Sequence, residues 1–403
     1  MKILIIWHSG ANPEYQKRIE ALAERQNTEV TLFVPERYPE NGVVYMYTKT
    51  GNKKFEYYKG KTVFSGKIMW YFYLTGLFRV FMKKKYDIIE MIEEPYSVSA
   101  FQITLFKYLF QKEAKLIFNT AQNQRLQFKN IFPLFLSKIF KRSPLVSKKK
   151  KEKEKFPFPL NIFQKFVLQN SDAAIIRTKR TKRILQTKGF EKPLVFIGNG
   201  VDIKKTFFPK KNIKLRQKIG LKKFTIGYIG KIEEKKGLIT LIRACGILNF
   251  DFQLFFLGYG TGKKEIFENI KKEKIEDKFI FHSAVEQNRI PDFMNCIDLF
   301  ILPSITTKLW VEMFGRVIIE AMACGVPVIG SSSGGIPDTV KNAGLIFPEK
   351  KYKELAVLIE KIYRSKDLYR EYQKRGQVRA AEFSWDKIAE QTKEFYVKIR
   401  EEN

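Results

Sequence analysis

The sequence predicts an α/β fold with two domains, each built on a parallel β-sheet. A chain of 403 residues, 44% of them hydrophobic, has room for two or three domains with large cores. Short apolar runs, which predict buried parallel strands, alternate with helical segments, most regularly in the second half. A strand, a loop, a helix and a strand also follow one another through 297–330. This alternation is typical of parallel sheets covered by helices.

The first elements are predicted from Met1 onward. The apolar run Met1–Trp7 predicts a buried strand, and Glu14–Arg25 predicts a helix after a turn. Val30–Val34 predicts the second strand, and weaker strands are predicted at 45–47 and 55–58. The opening run is too short for a signal peptide. We therefore expect a cytoplasmic protein, or one that is peripheral on the inner face of the membrane.

The segment Ile68–Lys84 predicts a helix that is apolar around much of its surface. Two interpretations stay open: a helix packed on the sheet, which we favour, or a membrane anchor. The apolar part is interrupted by Thr75, Gly76 and Arg79. It is also shorter than the roughly 20 residues that span a bilayer.

Two further predicted strands end in polar loops. Asp87–Ile92 is followed by Glu93, and Leu116–Asn119 is followed by a loop that contains Gln122. Both loops are candidates for a site, because the carboxyl ends of strands line the ligand crevice of open α/β sheets. Glu93 can serve as a functional carboxylate or can simply be solvated. Gln122 can hydrogen-bond but cannot act as a general base.

The stretch from Phe128 to Lys155 combines aromatic and leucine residues with ten basic residues and two glutamates. It predicts an insertion over about 128–158, after which strands and helices resume at 161–169, 172–176, 178–188 and 194–197. Aromatic side chains beside a basic cluster suit an interfacial segment on an anionic membrane. A solvated low-complexity loop is the alternative, and both interpretations stay open.

The second half begins with a strand at Thr225–Ile229, a glycine-bounded loop and a helix at Leu238–Leu248. Strands follow at 253–257 and 279–282, and the last helices are predicted at 350–363, 368–383 and 385–399. The glycines after residue 257 fit neither the G-x-G-x-x-G pattern nor the Walker pattern. The sequence therefore supports neither a dinucleotide-binding fold nor a P-loop NTPase.

The clearest indications of a ligand site lie in 297–330. Ile297–Leu302 predicts a strand, Arg316–Cys324 a helix that ends at a glycine, and Val326–Gly330 the next strand. Phe314 and Gly315 would open the helix, where free backbone N–H groups and the helix dipole favour a phosphate or sugar oxygen. Gly315 has no Cβ, so a ligand can approach its backbone closely.

Two glutamates flank the start of this helix. Glu312 precedes it, and Glu320 lies one turn inside it. An ionised carboxylate only accepts hydrogen bonds, so Glu320 suits the hydroxyls of a ribose and Glu312 those of a second sugar-like group. The spacing alone leaves open an ordinary amphipathic helix with two solvated glutamates.

The residues EMFGRVIIEAMACGVPVI, followed by SSSGG, resemble the donor-site signature of the retaining glycosyltransferases of family 4. These enzymes belong to the glycosyl transferases group 1 and have the GT-B fold. The resemblance implies that Glu312 contacts the donor sugar and that Glu320 binds the nucleotide ribose. It also implies that Phe314 and Gly315 contact the sugar and the phosphates through their backbone.

A second resemblance lies in the loop that runs from Gly230-Lys231 to Lys236-Gly237, which is similar to the phosphate loop of this family. It implies that Gly230, Lys231 and Lys236 bind the donor, and that Lys236 is catalytic because it neutralises the leaving diphosphate. The family usually has arginine at position 231, and lysine lacks its bidentate geometry. Two solvated lysines in a lysine-rich chain are the alternative.

The resemblance also has implications for the acceptor side, where it points to Gly10 and Glu93. The family usually has a glycine pair in the first loop, and often a histidine where this chain has Gln122. We keep Gln122 with Glu312 and Lys236 as the catalytic candidates. The implied domains are an acceptor-side domain at 1–205, a donor domain at 206–382 and a helix at 383–403 that crosses back. The two Rossmann-like domains would face a central cleft.

The charge of the chain bears on its partners. Basic residues outnumber acidic ones by 74 to 42, a net charge of +32, which attracts nucleic acid, anionic lipid or phosphorylated substrates. Lysines occur throughout the chain, so general composition accounts for much of the excess. No RNA-binding or zinc motif is present, and two histidines make a histidine zinc site improbable. We therefore expect no nucleic-acid partner, no cofactor and no metal.

These observations together predict a retaining, metal-independent glycosyltransferase. It would move a sugar from a nucleotide-sugar donor to a glycan or lipid-linked acceptor in cell-envelope synthesis. An epimerase or phosphorylase with the same fold is one alternative. A basic nucleic-acid-binding protein is the other.

Overall fold

The computed structural model describes residues 1–40, 43–46, 54–120, 159–308 and 310–402. The chain forms two compact units. The first comprises Met1–Ile176, Thr181–Phe196 and Ala389–Asn403, and the second comprises Arg177–Arg180 and Ile197–Ile388.

The first unit is built on a seven-stranded parallel sheet. Its strands and those of two small hairpins are β1 (Lys2–Trp7), β2 (Glu29–Pro35), β3 (Arg37–Glu40), β4 (Val43–Met46), β5 (Glu56–Gly60), β6 (Thr62–Val63), β7 (Phe72–Tyr73), β8 (Ile88–Ile92), β9 (Lys115–Thr120), β10 (Ala173–Ile176) and β11 (Leu194–Phe196). The sheet order is β11-β10-β9-β8-β1-β2-β5. β1 is central and its residues Ile3–Ile6 are fully buried, as expected for a strand covered on both faces.

The helices of the first unit cover this sheet. They are α1 (Pro13–Ala23), α2 (Leu77–Lys83), α3 (Val98–Phe110), α4 (Leu160–Asn170) and α5 (Lys179–Thr187), whose first two residues lie in the second unit. The side chain of Asn12 caps α1 by accepting from the amide of Glu14, and that of Ser97 caps α3 by accepting from the amide of Ala100. Both caps satisfy backbone donors that the helix itself leaves open.

The predicted helix over Ile68–Lys84 is wrong in its first half. Residues Phe72–Tyr73 form β7, which pairs with β6 in an antiparallel hairpin. The helix α2 begins only at Leu77, after Gly76 with a φ of 83°. That left-handed conformation is incompatible with a continuous helix. Some residues that the apolar composition predicted as helix therefore form the short hairpin instead.

The second unit is built on a six-stranded parallel sheet. Its strands are β12 (Phe224–Lys231), β13 (Phe252–Tyr259), β14 (Phe279–Ser283), β15 (Leu299–Leu302), β16 (Val328–Ser331) and β17 (Leu345–Phe347), in the order β14-β13-β12-β15-β16-β17. The remaining helices are α6 (Ile213–Lys218), α7 (Leu238–Gly246), α8 (Lys263–Lys272), α9 (Ile290–Met294), α10 (Arg316–Ala323), α11 (Ile336–Val340), α12 (Tyr352–Arg364), α13 (Lys366–Ala381) and α14 (Trp385–Glu401).

In each sheet the strand order reverses direction beside the first strand. The reversal lies between β1 and β8 in the first unit, and between β12 and β15 in the second. The crevice at the carboxyl ends of two such strands is where open α/β sheets bind ligands. The fold thus marks one candidate position in each unit.

The last helix, α14, begins in the second unit and ends in the first. In the first unit the hydroxyl of its Tyr396 donates to the carboxylate of Glu90, which lies fully buried in β8. The same carboxylate accepts from Arg18 Nη2 at 2.7 Å and from Asn119 Nδ2 at 2.9 Å. A buried ion pair with additional hydrogen bonds therefore joins α1, β8, β9 and α14.

Across the ranges that the structure describes, no helix combines the length and the apolar character needed to cross a bilayer.

Candidate functional site

Three side chains meet at the carboxyl ends of β12 and β15. Lys236, in the loop after β12, donates from Nζ to Glu312 Oε2 at 2.7 Å. Ser304, just after β15, donates from Oγ to the same oxygen at 3.1 Å. The side chains of Lys236 and Glu312 are 18% and 13% exposed, so the pair is mostly buried but still accessible to solvent. Two predicted site residues, 76 positions apart, thus form one ion pair.

Trp310 stands beside this pair and was not identified from the sequence. Its ring centroid lies 4.6 Å from Lys236 Nζ and 5.3 Å from Lys235 Nζ. Such contacts contribute about 0.5–1 kcal/mol where solvent has access. In the sequence, the only indication of this contact was an aromatic residue two positions before Glu312. The contact could not be predicted from it, because the lysines belong to a different loop.

The loop that carries Glu312 is supported by the paired glycines of the SSSGG motif. The amide of Gly335 donates to the carbonyl of Glu312 at 2.9 Å. A Cβ at Gly334 would lie 2.0 Å from that carbonyl oxygen, and a Cβ at Gly335 would lie 2.1 Å from the carbonyl oxygen of Met313. No side chain fits at either position. The motif therefore holds the glutamate loop in place through close backbone contact.

The loop that carries Lys236 depends on a glycine in the same way. Gly237 has a φ of 66°, and a Cβ there would lie 2.0 Å from the carbonyl oxygen of Pro303. The left-handed conformation turns the chain into α7 directly after Lys236. The close approach to Pro303 keeps this loop next to the end of β15.

The other predicted lysine, Lys231, is the last residue of β12. The hydroxyl of Tyr228 donates to its carbonyl at 2.7 Å. Burial, and then the charges of Glu312 and Glu233, raise the pKa of Tyr228 well above its usual value. The hydrogen bond from Lys235 and then the charges of Lys235, Lys231 and Lys236 lower the pKa of Glu233. Several lysine charges therefore act on the same small region.

Phe314 and Gly315 lie between Glu312 and α10. The ring of Phe314 is buried against Phe383, with centroids 5.3 Å apart, so its side chain serves packing and leaves the backbone for a ligand. The carbonyl of Phe314 accepts from Thr339 Oγ1 at 2.6 Å. Within the described residues, the amides of Phe314 and Gly315 make no hydrogen bond. These amides precede α10, where an anion or sugar oxygen is favoured.

Glu320 is buried on α10 and is only 5% exposed. Its Oε1 accepts from Arg316 Nε at 2.8 Å, a contact that the sequence analysis did not anticipate. A residue four positions earlier on the same helix is always a neighbour, so this pairing could have been predicted. A ribose bound to Glu320 would therefore hydrogen-bond to a carboxylate that already accepts from Arg316.

In the first unit, Glu93 follows β8 and is buried rather than solvated, being 1% exposed. His8 Nδ1 lies 2.9 Å from its Oε1, and the amide of His8 donates to the same oxygen at 3.2 Å. The hydroxyl of Tyr71 also donates to Oε1, and Ser99 Oγ donates to Oε2 at 3.4 Å. Burial and the charge of Glu93 raise the pKa of Tyr71 well above its usual value.

His8 was missed in the sequence, where it reads as part of a turn. It follows the first strand directly, and Glu93 follows the fourth strand of the sheet. These two strands are neighbours only because the strand order reverses between them.

Gly10 lies in the same turn as His8 and is buried, with Val34 Cγ1 3.0 Å from the position of an added Cβ. An added methyl group would therefore press against the side chain of Val34.

Gln122 and the basic segment 128–155 lie outside the described residues. Among the residues that are described, no three His, Cys, Asp or Glu side chains are grouped as metal ligands would be.

Residues 209–379 match the family described as "Glycosyl transferases group 1". This range contains Lys231, Lys236, Glu312 and Glu320. Among curated proteins, the chain is similar to the lipopolysaccharide core biosynthesis mannosyltransferase LpsB of Rhizobium meliloti. The two are 29% identical over 208 residues, which are 48% of this chain and 56% of that protein. The chain spans about half the length of the curated relatives that it matches.

Solved structures extend the similarity to the whole chain. Sucrose-phosphate synthase from Thermosynechococcus elongatus is 19% identical, with a TM-score of 0.68, and 99% of each chain is covered. HepE of Anabaena, in complex with UDP, is 18% identical, with a TM-score of 0.68, and 99% of this chain and 100% of that chain are covered. The chain therefore has the GT-B fold, and the predicted α/β fold class with two parallel-sheet domains is confirmed.

Proposed function

We propose that this protein is a retaining, metal-independent glycosyltransferase that takes its sugar from a nucleotide-sugar donor. The observation that carries the proposal is the Lys236–Glu312 ion pair at the strand-order reversal of the second sheet. It lies inside the range that matches the glycosyl transferases group 1. A cation and a carboxylate at this position suit the two parts of a nucleotide sugar, its diphosphate and its sugar hydroxyls.

The roles that we propose in the donor site are those that the family resemblance implies, and the contacts described above support them. Lys236 stabilises the diphosphate as it departs, with Lys231 near the same crevice edge. Glu312, released from Lys236 by the diphosphate, accepts hydroxyl groups of the sugar. The amides of Phe314 and Gly315 bind phosphate or sugar oxygens, and Glu320 binds the ribose.

The acceptor site is proposed in the first unit, where Glu93, Gly10 and Gln122 follow strand ends. The acceptor is a glycan or a lipid-linked sugar of cell-envelope synthesis, a proposal supported by the similarity to LpsB. HepE has been solved in complex with UDP-glucose, so a UDP-sugar is the first donor to test. Lysine charges take the place of a divalent cation at the diphosphate, and no cofactor is required.

The test is a screen of nucleotide sugars for release of the nucleoside diphosphate by the full-length protein. We expect one UDP-sugar to be hydrolysed slowly without acceptor, at the same rate in EDTA and in magnesium. Lys236→Ala should slow the release by about 10²–10³, and Lys235→Ala should largely retain it. If no nucleotide sugar is bound or hydrolysed, the proposed donor class is wrong. If EDTA stops the reaction, the proposed metal independence is wrong. Conversion of the donor to a different nucleotide sugar would identify an epimerase instead.

A further inference from the structure

The first unit has a group of exposed apolar side chains that lie outside its hydrophobic core. Seven large side chains in this region are 44% to 65% exposed, namely Phe64, Ile68, Leu74, Phe78, Met82, Tyr108 and Leu109. Single exposed apolar residues are ordinary, but clusters indicate a binding surface. We call these seven residues the apolar surface.

Helix α2 shows why these side chains face outwards. Its residues Leu77, Val80 and Phe81 are buried, and they occupy the face that packs on the unit. Phe78 and Met82 are one turn apart and more than half exposed, so they form a second apolar stripe on the outer face. A surface helix normally carries polar residues there. The helix is therefore apolar on a face that the described part of the chain leaves uncovered.

The elements that carry the apolar surface contact one another. The ring of Phe78 lies 5.3 Å from that of Phe110, at the end of α3 next to Tyr108 and Leu109. The hairpin of β6 and β7 is tied to α3, because the backbone of Tyr73 exchanges hydrogen bonds with Gln102 at 2.9 and 2.7 Å. The turn of this hairpin holds Phe64 and Ile68, and Leu74 follows β7.

The chain segment that carries most of this surface is rich in basic residues. Between Glu56 and Asp87 the sequence has seven basic residues and no Asp or Glu. The exposed ones are Lys59, Lys61, Lys67, Arg79, Lys83 and Lys85. Lys67 Nζ lies 5.7 Å from the ring centroid of Phe64. Some of these cations are paired: Lys84 with Glu29 and Glu56, Lys83 with Glu56 at 3.7 Å, and Lys59 with Glu36 at 3.2 Å. Among the described residues, no ion pair offsets the charges of Lys61, Lys67, Arg79 and Lys85.

We propose that the apolar surface and its basic residues bind the surface of an anionic lipid bilayer. Aromatic and aliphatic side chains enter the interface, while lysine and arginine reach the lipid phosphates with their long side chains. Each basic residue near such a surface raises the binding constant about fivefold. A protein interface would require complementary shape and a core depleted of charge, whereas here the cations are interspersed with the apolar residues. The inference does not depend on the donor site.

The test is sedimentation of the full-length protein with vesicles made of equal parts phosphatidylglycerol and phosphatidylcholine, and with vesicles of phosphatidylcholine alone. The variant is Phe78→Glu with Met82→Glu. The matched control is Val357→Glu with Val378→Glu, because these valines are 63% and 69% exposed on helices of the second unit. Both pairs change the net charge equally, and circular dichroism checks that each variant is folded.

We expect the wild type to bind the anionic vesicles and to lose binding as salt rises, because the attraction is screened. The Phe78/Met82 variant should bind at least about tenfold more weakly, since two apolar side chains no longer enter the interface, and the control should bind like the wild type. Absence of binding by the wild type overturns the proposal. Equal binding by variant and wild type also overturns it, and would place the attachment elsewhere, for example in 128–155. Self-association that this variant abolishes, without vesicle binding, would identify a second copy as the partner.

Discussion

Lys236→Ala should lower turnover far more than it lowers stability. In the structure the ammonium of Lys236 contacts the carboxylate of Glu312 at 2.7 Å and the ring of Trp310 at 4.6 Å. Its side chain is 18% exposed, so it is neither part of the core nor free in solvent. A donor diphosphate would be the third partner. The variant removes this positive charge and leaves Glu312 with the hydroxyl of Ser304.

The magnitudes separate the two effects. Loss of one group that stabilises developing charge lowers the rate by about 10²–10³, or about 3–4 kcal/mol. Loss of a partly exposed ion pair and one cation–π contact destabilises by about 1–2 kcal/mol. Native proteins are stable by about 5–15 kcal/mol, so the variant should remain folded. A large loss of rate therefore cannot be attributed to unfolding.

The assay is release of nucleoside diphosphate from the donor found in the screen, at saturating donor. Lys235→Ala is the matched control, because Lys235 also lies over Trp310, at 5.3 Å, but pairs with Glu233 at 2.8 Å. We expect a much smaller change in the control. Wild-type turnover in Lys236→Ala would refute the assignment. Equal losses in both variants would show that only the general positive charge of the loop matters.

The elements around the candidate site could be predicted in outline because their signals are local. The end of α10 followed from Gly325, which has a φ of 72° and donates its amide to the carbonyl of Met322. The strand before the helix and the strand after it followed from short buried runs, and both are present as β15 and β16. Caps and periodicity depend on neighbours in the sequence, so they can be interpreted without the fold.

The contacts inside the sites could not be predicted, because they depend on strand order. Lys236 meets Glu312 only because β12 and β15 are neighbours, and His8 meets Glu93 only because β1 and β8 are neighbours. The helix α3 was not predicted either. It is apolar on several sides because it packs beneath α2 and stacks Phe101 on the ring of Phe163 in α4. No single stripe therefore marks it in the sequence.

Two further predictions concern the carboxylates. Glu320→Gln should weaken binding of the free nucleoside diphosphate in calorimetry, whereas Glu312→Gln should spare that binding and reduce transfer; the reverse result would exchange their roles. The second concerns Glu90, whose carboxylate is fully buried and accepts from Arg18 at 2.7 Å and from the hydroxyl of Tyr396. Glu90→Gln should lower stability by about 3–5 kcal/mol, because it leaves a buried guanidinium without its counter-charge. Tyr396→Phe removes one hydrogen-bond donor and should cost about 1–3 kcal/mol. Urea unfolding followed by circular dichroism compares the two variants. If Tyr396→Phe were the more damaging of the two, the hydrogen bond to α14, and not the charge of Arg18, would be the dominant contribution of this cluster.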